Sequence, residues 1–163
     1  LESVDRIESI VEGMLGLARE KNGRREAEVD LNKIIEKSLD FFPLEKITIL
    51  KELGEIPVIK GDPGEIQEVF VNLIQNAIEA MQGVGTLTFR SYLEGQRVAV
   101  EVSDTGKGIP KDLHEKIFDP FFSTRHEGVG LGLSIAYRII REHGGDIKVI
   151  SEEGKGTTFK LIF

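Results

Sequence analysis

Asn72 and Asn76 stand one helical turn apart in Glu68-Val-Phe-Val-Asn72-Leu-Ile-Gln-Asn76, a stretch that is otherwise mostly apolar. Glu65, Glu68, Asn72, Asn76 and Glu79 recur at steps of three and four, so they share one helix face, and the two amides point at the same object. Asparagine is an indifferent helix former, and a solvated face usually carries Glu, Lys or Arg instead. Two amide oxygens suit a hard cation already partly neutralised by phosphates, because magnesium takes few protein ligands beside phosphate and water. The competing reading is the solvated side of an amphipathic helix.

Asp104-Thr-Gly106-Lys-Gly108-Ile109-Pro110 follows a β-rich run. Glycine lets a backbone bend sharply and approach a flat ligand, a carboxylate accepts from an amine such as the adenine amino group, and Ile109 can pack on a ring. Taken alone, the segment also reads as a tight loop with a helper carboxylate. Gly128-Val129-Gly130-Leu131-Gly132-Leu133-Ser134 runs straight into a helical pattern, and a helix start with unsatisfied N–H groups suits phosphates. The glycines stand at i, i+2 and i+4, so neither the Walker loop nor the dinucleotide fingerprint is met. A third cluster, Gly154-Lys-Gly156-Thr157, reads by itself as a hairpin turn.

The elements that must position these groups can be read from pattern. The chain has 163 residues, 40% hydrophobic and 30% charged, as expected of one globular domain. Its net charge of -7 gives no support to duplex nucleic-acid binding. The absence of cysteine excludes a disulfide scaffold, a thiolate nucleophile and a cysteine zinc site, and is compatible with the cytoplasm. No run approaches the length of a membrane-spanning helix, so no membrane contact is expected of these residues, although a longer parent protein can be membrane-anchored.

Val4, Ile7, Val11, Met14 and Ala18 form a coiled-coil seam. That seam either folds back on the chain or belongs to an intermolecular bundle. Residues 1–22 are expected to be a helix, 23–30 a polar linker, and 31–163 the main domain. Helices are expected from Leu31 to Phe42, from Asp62-Pro63 through Met81, near Lys111 to Ile117, and from Leu131 to His143. Strands are expected at Ile47–Leu53, Pro57–Lys60, Thr86–Leu93, Arg97–Ser103, Asp146–Ser151 and Thr157–Phe163. Hairpins interspersed with helices imply an α+β fold, a two-layer α/β sandwich with helices on one face of a mixed sheet.

The succession Asn72-x-x-x-Asn76, Asp104-x-Gly106-x-Gly108, Phe118-Asp-Pro-Phe-Phe-Ser-Thr-Arg125, Gly128-x-Gly130-x-Gly132 and Gly156-Thr157 resembles the ATP-binding catalytic domain of two-component histidine protein kinases. These match the family's N box, first glycine box, F box, second glycine box and Gly-Thr element, over Leu31 to Phe163. Phe-Asp-Pro-Phe-Phe-Ser-Thr with Asn-Ala-x-x-Ala-Met is similar to the branch containing nitrogen-regulation sensor kinases.

The resemblance implies a Bergerat fold binding ATP and Mg2+. Asn76 would hold the magnesium, with Asn72 on the phosphate side. Asp104 would read the adenine amino group, helped by a water near Thr157, in a pocket shaped by Gly106, Gly108 and Ile109. The segment of Gly128, Val129, Gly130, Leu131, Gly132 and Leu133 would hold the β and γ phosphates. Ser123, Thr124 and Arg125 would open a short lid running to Val129, with Arg125 the positive group of the transfer chemistry.

It also implies a homodimeric parent, whose dimerisation domain carries the phosphoacceptor histidine, and a response regulator receiver domain as partner. No phosphoacceptor is expected in this chain: His114, His126 and His143 lack the acceptor's flanking residues, and His143 would favour a helix dipole. Residues 1–22 would be the end of the second helix of the acceptor hairpin, and the chain alone would not autophosphorylate.

Glu79 departs from the family, where a Lys often stands three residues beyond the magnesium Asn. Hydrolysing members of the wider superfamily place a glutamate four residues before that Asn, but the position here is Asn72, and an amide is no general base. Transfer is therefore favoured over hydrolysis, with a catalytically silent nucleotide-binding module as a further alternative.

Overall fold

The computed structural model describes residues 25–124 and 130–163. The expected helix over 1–22, and with it the coiled-coil seam, lies outside the described residues. So do Arg125, His126, Gly128 and Val129.

The chain begins with a short strand, β1 (Ala27–Val29), inside the segment expected to be linker. Only Val29 of its three residues is buried, so alternation gives no signal over so short a span. It pairs antiparallel with β3 (Ile59–Gly61) in a two-stranded sheet. Helix α1 (Leu31–Leu39) is started by Asp30, whose carboxylate accepts the Lys33 N–H, and buries Leu31, Ile34, Ile35 and Leu39. It stops before Phe42-Pro43, three residues short of the expected end.

The main sheet has five strands in the order β2 (Ile47–Leu53), β4 (Gly85–Glu94), β5 (Arg97–Asp104), β7 (Gly156–Ile162) and β6 (Asp146–Glu152). β2 and β4 run parallel, which requires a crossover, and helix α2 (Pro63–Ala80) lies in that connection. The other neighbours are antiparallel. Helix α3 (Gly132–Glu142) packs on α2, and α2 on α1. Together with one face of the sheet they enclose a core that includes Phe70, Phe89 and Phe159, all fully buried. Each such ring contributes about 1.5–3 kcal/mol by leaving water. The α+β sandwich with a mixed sheet is thus as expected, and Val98, Val100 and Val102 do alternate inward.

The expected short helix near Lys111 to Ile117 is instead two 3-10 turns, Lys111–Leu113 and Lys116–Phe118. The first closes with i to i+3 bonds from Leu113 to Pro110 and from His114 to Lys111. Among the described residues no helix is long and apolar enough to cross a membrane.

Candidate functional site

The amide pair is positioned from the far end of its own helix. Asp62 caps α2, its Oδ1 accepting the N–H groups of Gly64 (2.9 Å) and Glu65 (3.1 Å), and Pro63 occupies the first turn. Burial pushes the Asp62 carboxyl up, but the N–H groups of Arg25, Glu65 and Gly64 hold it below the ordinary 3.8.

His143, at the end of α3, completes the anchor. Its Nδ1 donates to the Ile139 carbonyl (2.8 Å) and its Nε2 accepts the Asp62 N–H (3.0 Å), so the ring is a neutral bridge between the two helices. The Nδ1–H serves the carbonyl end of α3, where the sequence placed His143, while the Asp62 N–H requires a lone pair on Nε2. Glu65 lies 3.9 Å from that nitrogen, so this member of the polar stripe stands at the anchor and away from Asn72 and Asn76.

With α2 fixed, Asn72 and Asn76 come half-buried onto the wall of a cavity of about 720 Å³. That volume is suited to a small organic ligand. Glu68, Gln75 and Glu79 share the wall, and Gln75 donates to Glu79. Opposite stands the start of α3. Its N-terminus has no side-chain cap, and a Cβ at Gly132 would lie 3.1 Å from Asn72 Oδ1. The amide face and the helix N-terminus therefore look at one another, an arrangement that can take a polyanion and its counter-cation.

The floor is built by strand register. Asp104 of β5 is the partner of Thr157 of β7, and Thr157 is the partner of Ser151 of β6, so the three form one row facing the helices. Asp104 is only 7% exposed, and its Oδ1 accepts the Gly106 N–H at 2.8 Å. Burial raises its pKa above 3.8, only partly opposed by the Gly106 and Thr157 N–H groups. Ser151 Oγ lies 2.8 Å from Ile109 N, 2.8 Å from the Gly156 carbonyl and 2.9 Å from Thr157 Oγ1.

Two glycines permit this closeness. Gly108 has φ +70° with a Cβ position 2.1 Å from the Glu152 carbonyl, and Gly156 has φ +115° with one 2.0 Å from the Asp104 carbonyl. His114 Nε2 donates to the Ile109 carbonyl at 2.9 Å, holding the same loop from outside.

The structure brings together on the cavity wall Asn72, Asn76, Gly108, Ile109 and Thr157 with Ser123, Thr124, Gly130, Leu131, Gly132 and Leu133. Asp104 and Gly106 are buried below that wall, beside Thr157. Ahead of residues 125–129, Phe118 packs against Tyr137 and Phe159, with ring centroids 5.3 and 6.3 Å apart, and Phe121 N–H donates to the Gly130 carbonyl at 2.9 Å. The chain is thus tied together on both sides of residues 125–129. Phe121 itself has φ +65°, a strained conformation for a bulky residue, and is 55% exposed.

Sequence reasoning missed Gln75, Lys107 and Glu153 in the lining. Lys107 was visible as the residue between the two loop glycines. Glu153 reaches the cavity only because the β6–β7 turn is tied to that loop, Gly154 N–H donating to the Lys107 carbonyl at 2.6 Å. Among the described lining residues three glutamates face one lysine, so an anionic ligand is opposed by the wall unless cations accompany it.

Residues 61–163 match the family described as histidine kinase-, DNA gyrase B-, and HSP90-like ATPase. The chain is 36% identical to sensor histidine kinase ZraS of Escherichia coli (strain K12), over 98% of this chain and 35% of that protein. It is 39% identical to sporulation kinase C of Bacillus subtilis (strain 168), over 73% of this chain and 28% of that protein. It thus spans about a third of the curated relatives it matches.

Among solved structures, full-length ShkA in complex with AMPPNP superposes with a TM-score of 0.86 at 28% identity, covering 99% of this chain and 36% of that one. Histidine kinase ThkA in complex with response regulator protein TrrA superposes at 0.82 with 32% identity, covering 99% and 48%. The chain belongs to the histidine kinase-, DNA gyrase B- and HSP90-like ATPase family, and within it to the ATPase domains of sensor histidine kinases.

Proposed function

We propose that this domain binds Mg-ATP between α2 and α3 and presents its γ-phosphoryl group to a histidine on a separate dimerisation domain of the parent protein, which then feeds a response regulator. The observation that carries the reading is the amide face of α2 standing across the cavity from the uncapped start of α3, above the Asp104 row. The adenine ring lies over Ile109 with its amino group toward Asp104. The N–H groups at the start of α3 receive the phosphates.

The donor chemistry fits magnesium. Asn76 supplies one hard amide oxygen, and among the described residues no three carboxylates or histidines gather to cage a bare ion, so the phosphates supply the other charged ligands. When bound, the ion would supply neutralisation of phosphate charge, held on the protein side by Asn76. Asn72 orients the phosphate side of the ligand. Arg125 is assigned, by its place in the Phe118 to Arg125 motif alone, as the positive group for the phosphates that Glu68, Glu79 and Glu153 on the wall oppose.

In the transfer, an imidazole nitrogen of the acceptor forms a bond to the γ-phosphorus as the bond to the β–γ bridging oxygen breaks, and ADP leaves. Asn72 occupies the position from which a glutamate would activate water, so transfer is preferred to hydrolysis. This chain alone does not autophosphorylate, because none of His114, His126 and His143 carries the acceptor's flanking residues.

Similarity to ZraS and to a kinase crystallised with its response regulator supports the reading. The test is radiolabel transfer from ATP to a supplied acceptor hairpin of the parent, with native chain, Asn76→Asp and Arg125→Ala. Label on the acceptor histidine that the two variants lose supports the proposal. Nucleotide binding with no transfer makes the domain a binding module, and sustained phosphate release without acceptor makes it an ATPase.

A further inference from the structure

Ser151 is one of the better-defined polar groups outside the residues assigned so far, and its bonds can be counted. A serine hydroxyl has one proton and two acceptor lone pairs. The Gly156 carbonyl, 2.8 Å away, can only accept, so it takes the proton. The Ile109 N–H, 2.8 Å away, can only donate, so it fills one lone pair. The remaining contact, 2.9 Å to Thr157 Oγ1, must then be a bond donated by Thr157 into the second lone pair.

The Thr157 hydroxyl therefore has no proton left to offer the cavity it lines. It presents lone pairs only, beside Asp104, its cross-strand partner, which is also an acceptor.

We infer that Ser151 is a positioning residue that sets base specificity: by fixing the Thr157 hydroxyl as an acceptor it makes the pocket floor a pair of acceptors, matched to an exocyclic amino group and mismatched to an oxo group. The inference rests on adenine lying over this floor, as proposed above. An amino group brings two N–H donors to two acceptors, directly or through one water. An oxo group brings lone pairs against lone pairs, a mismatch that leaves buried polar groups unpaired. Once Ser151 loses its hydroxyl, Thr157 is free to rotate its proton toward an oxo group.

The test compares ADP with IDP, which differ at one edge of the base: an amino group beside an acceptor ring nitrogen in ADP, an oxo group beside a protonated ring nitrogen in IDP, so the variants are compared with the native chain and not the two bases alone. Dissociation constants of both are measured by calorimetry on the native chain, Ser151→Ala, Ser151→Cys and Ser151→Thr. The expected result is that the IDP to ADP ratio falls about tenfold in Ser151→Ala, the scale of one hydrogen-bond mismatch. It falls similarly in Ser151→Cys, whose thiol is a weak donor and acceptor that keeps the shape, and Ser151→Thr restores it.

A merely structural role weakens both nucleotides together and leaves the ratio alone, and that result overturns the inference. Asp104→Asn separates this failure from a failure of the site. If that variant binds ADP like the native chain, adenine does not lie here and both readings fall. If it loses ADP while Ser151→Ala keeps the native ratio, only the role of Ser151 falls.

Discussion

Glu101 and Asp104 lie three residues apart on the same strand, on opposite faces of the sheet, and their surroundings could hardly differ more. On the open face, Glu101 accepts from Tyr92 at 2.7 Å beside a row of charged side chains in water. Glu52 pairs there with Arg90, and Lys160 pairs with Glu94 at 2.6 Å and sits 5.6 Å from the Tyr92 ring centroid. On the covered face, Asp104 interrupts a floor of Val100, Val102, Phe89 and Phe159 and is held by backbone N–H groups alone. Solvent screens the first set of charges, so its pairs cost or contribute little. The second is desolvated, and that gives a single carboxylate leverage over a ligand.

The contrast breaks hardest where the covered face loses volume. Phe89→Ala is expected to cost about 3–5 kcal/mol, read as a lower denaturation midpoint with unchanged slope. A cost below 1 kcal/mol would mean the covered face is not the core.

Asp104→Asn sharpens the comparison by separating function from stability. The Asp104 pKa is raised on folding, so its charge opposes folding progressively as pH rises past the ordinary 3.8 and fully above the raised value. The neutral amide should leave the melting temperature equal or higher at pH 7, while ADP binding weakens roughly 30- to 100-fold, as for a bond to a charged group. For the same reason ADP affinity of the native chain should decline on acidification before the pH reaches 3.8, the ordinary aspartate value. A titration that holds flat down to that value counts against the assigned partner.

A smaller effect belongs to the anchor of α2. His143→Ala leaves the Asp62 N–H without its part-buried acceptor and should cost about 1–3 kcal/mol in thermal or denaturant unfolding. The smallest is on the open face, where Glu52→Ala should change stability by under about 1 kcal/mol, less at high salt. A larger loss there would show that the open face is not governed by screening.

The sequence made the helical half of the site more legible than the sheet half. Asn72 and Asn76 could be paired from their spacing, because i and i+4 are neighbours on any helix. Strand alternation placed Val98, Val100 and Val102 on one face, but a period of two carries no register, so nothing in the sequence aligned Asp104 with Thr157 and Ser151. The strand Ala27–Val29 escaped because three residues hold no period, and the role of His143 escaped because its partner, the Asp62 N–H, is a backbone group 81 positions away. Where glycines marked the close approaches, at Gly108 and Gly156, the loops were foreseen although the atoms they approach were not.

The sheet order has a consequence for biosynthesis. β7 is the last strand of the sheet to leave the ribosome, yet it fills the interior slot between β5 and β6. Until it emerges, β5 carries an open edge along Ala99 to Asp104, a run rich in buried valines and a ready template for pairing with another nascent chain. The same insertion brings Gly156 and Thr157 to the floor, so a chain stalled before that point has its amide helix and first glycine loop but no complete cavity floor. Slow translation upstream of β7 should therefore raise aggregation, and nucleotide should begin to protect nascent chains only once β7 has cleared the exit tunnel.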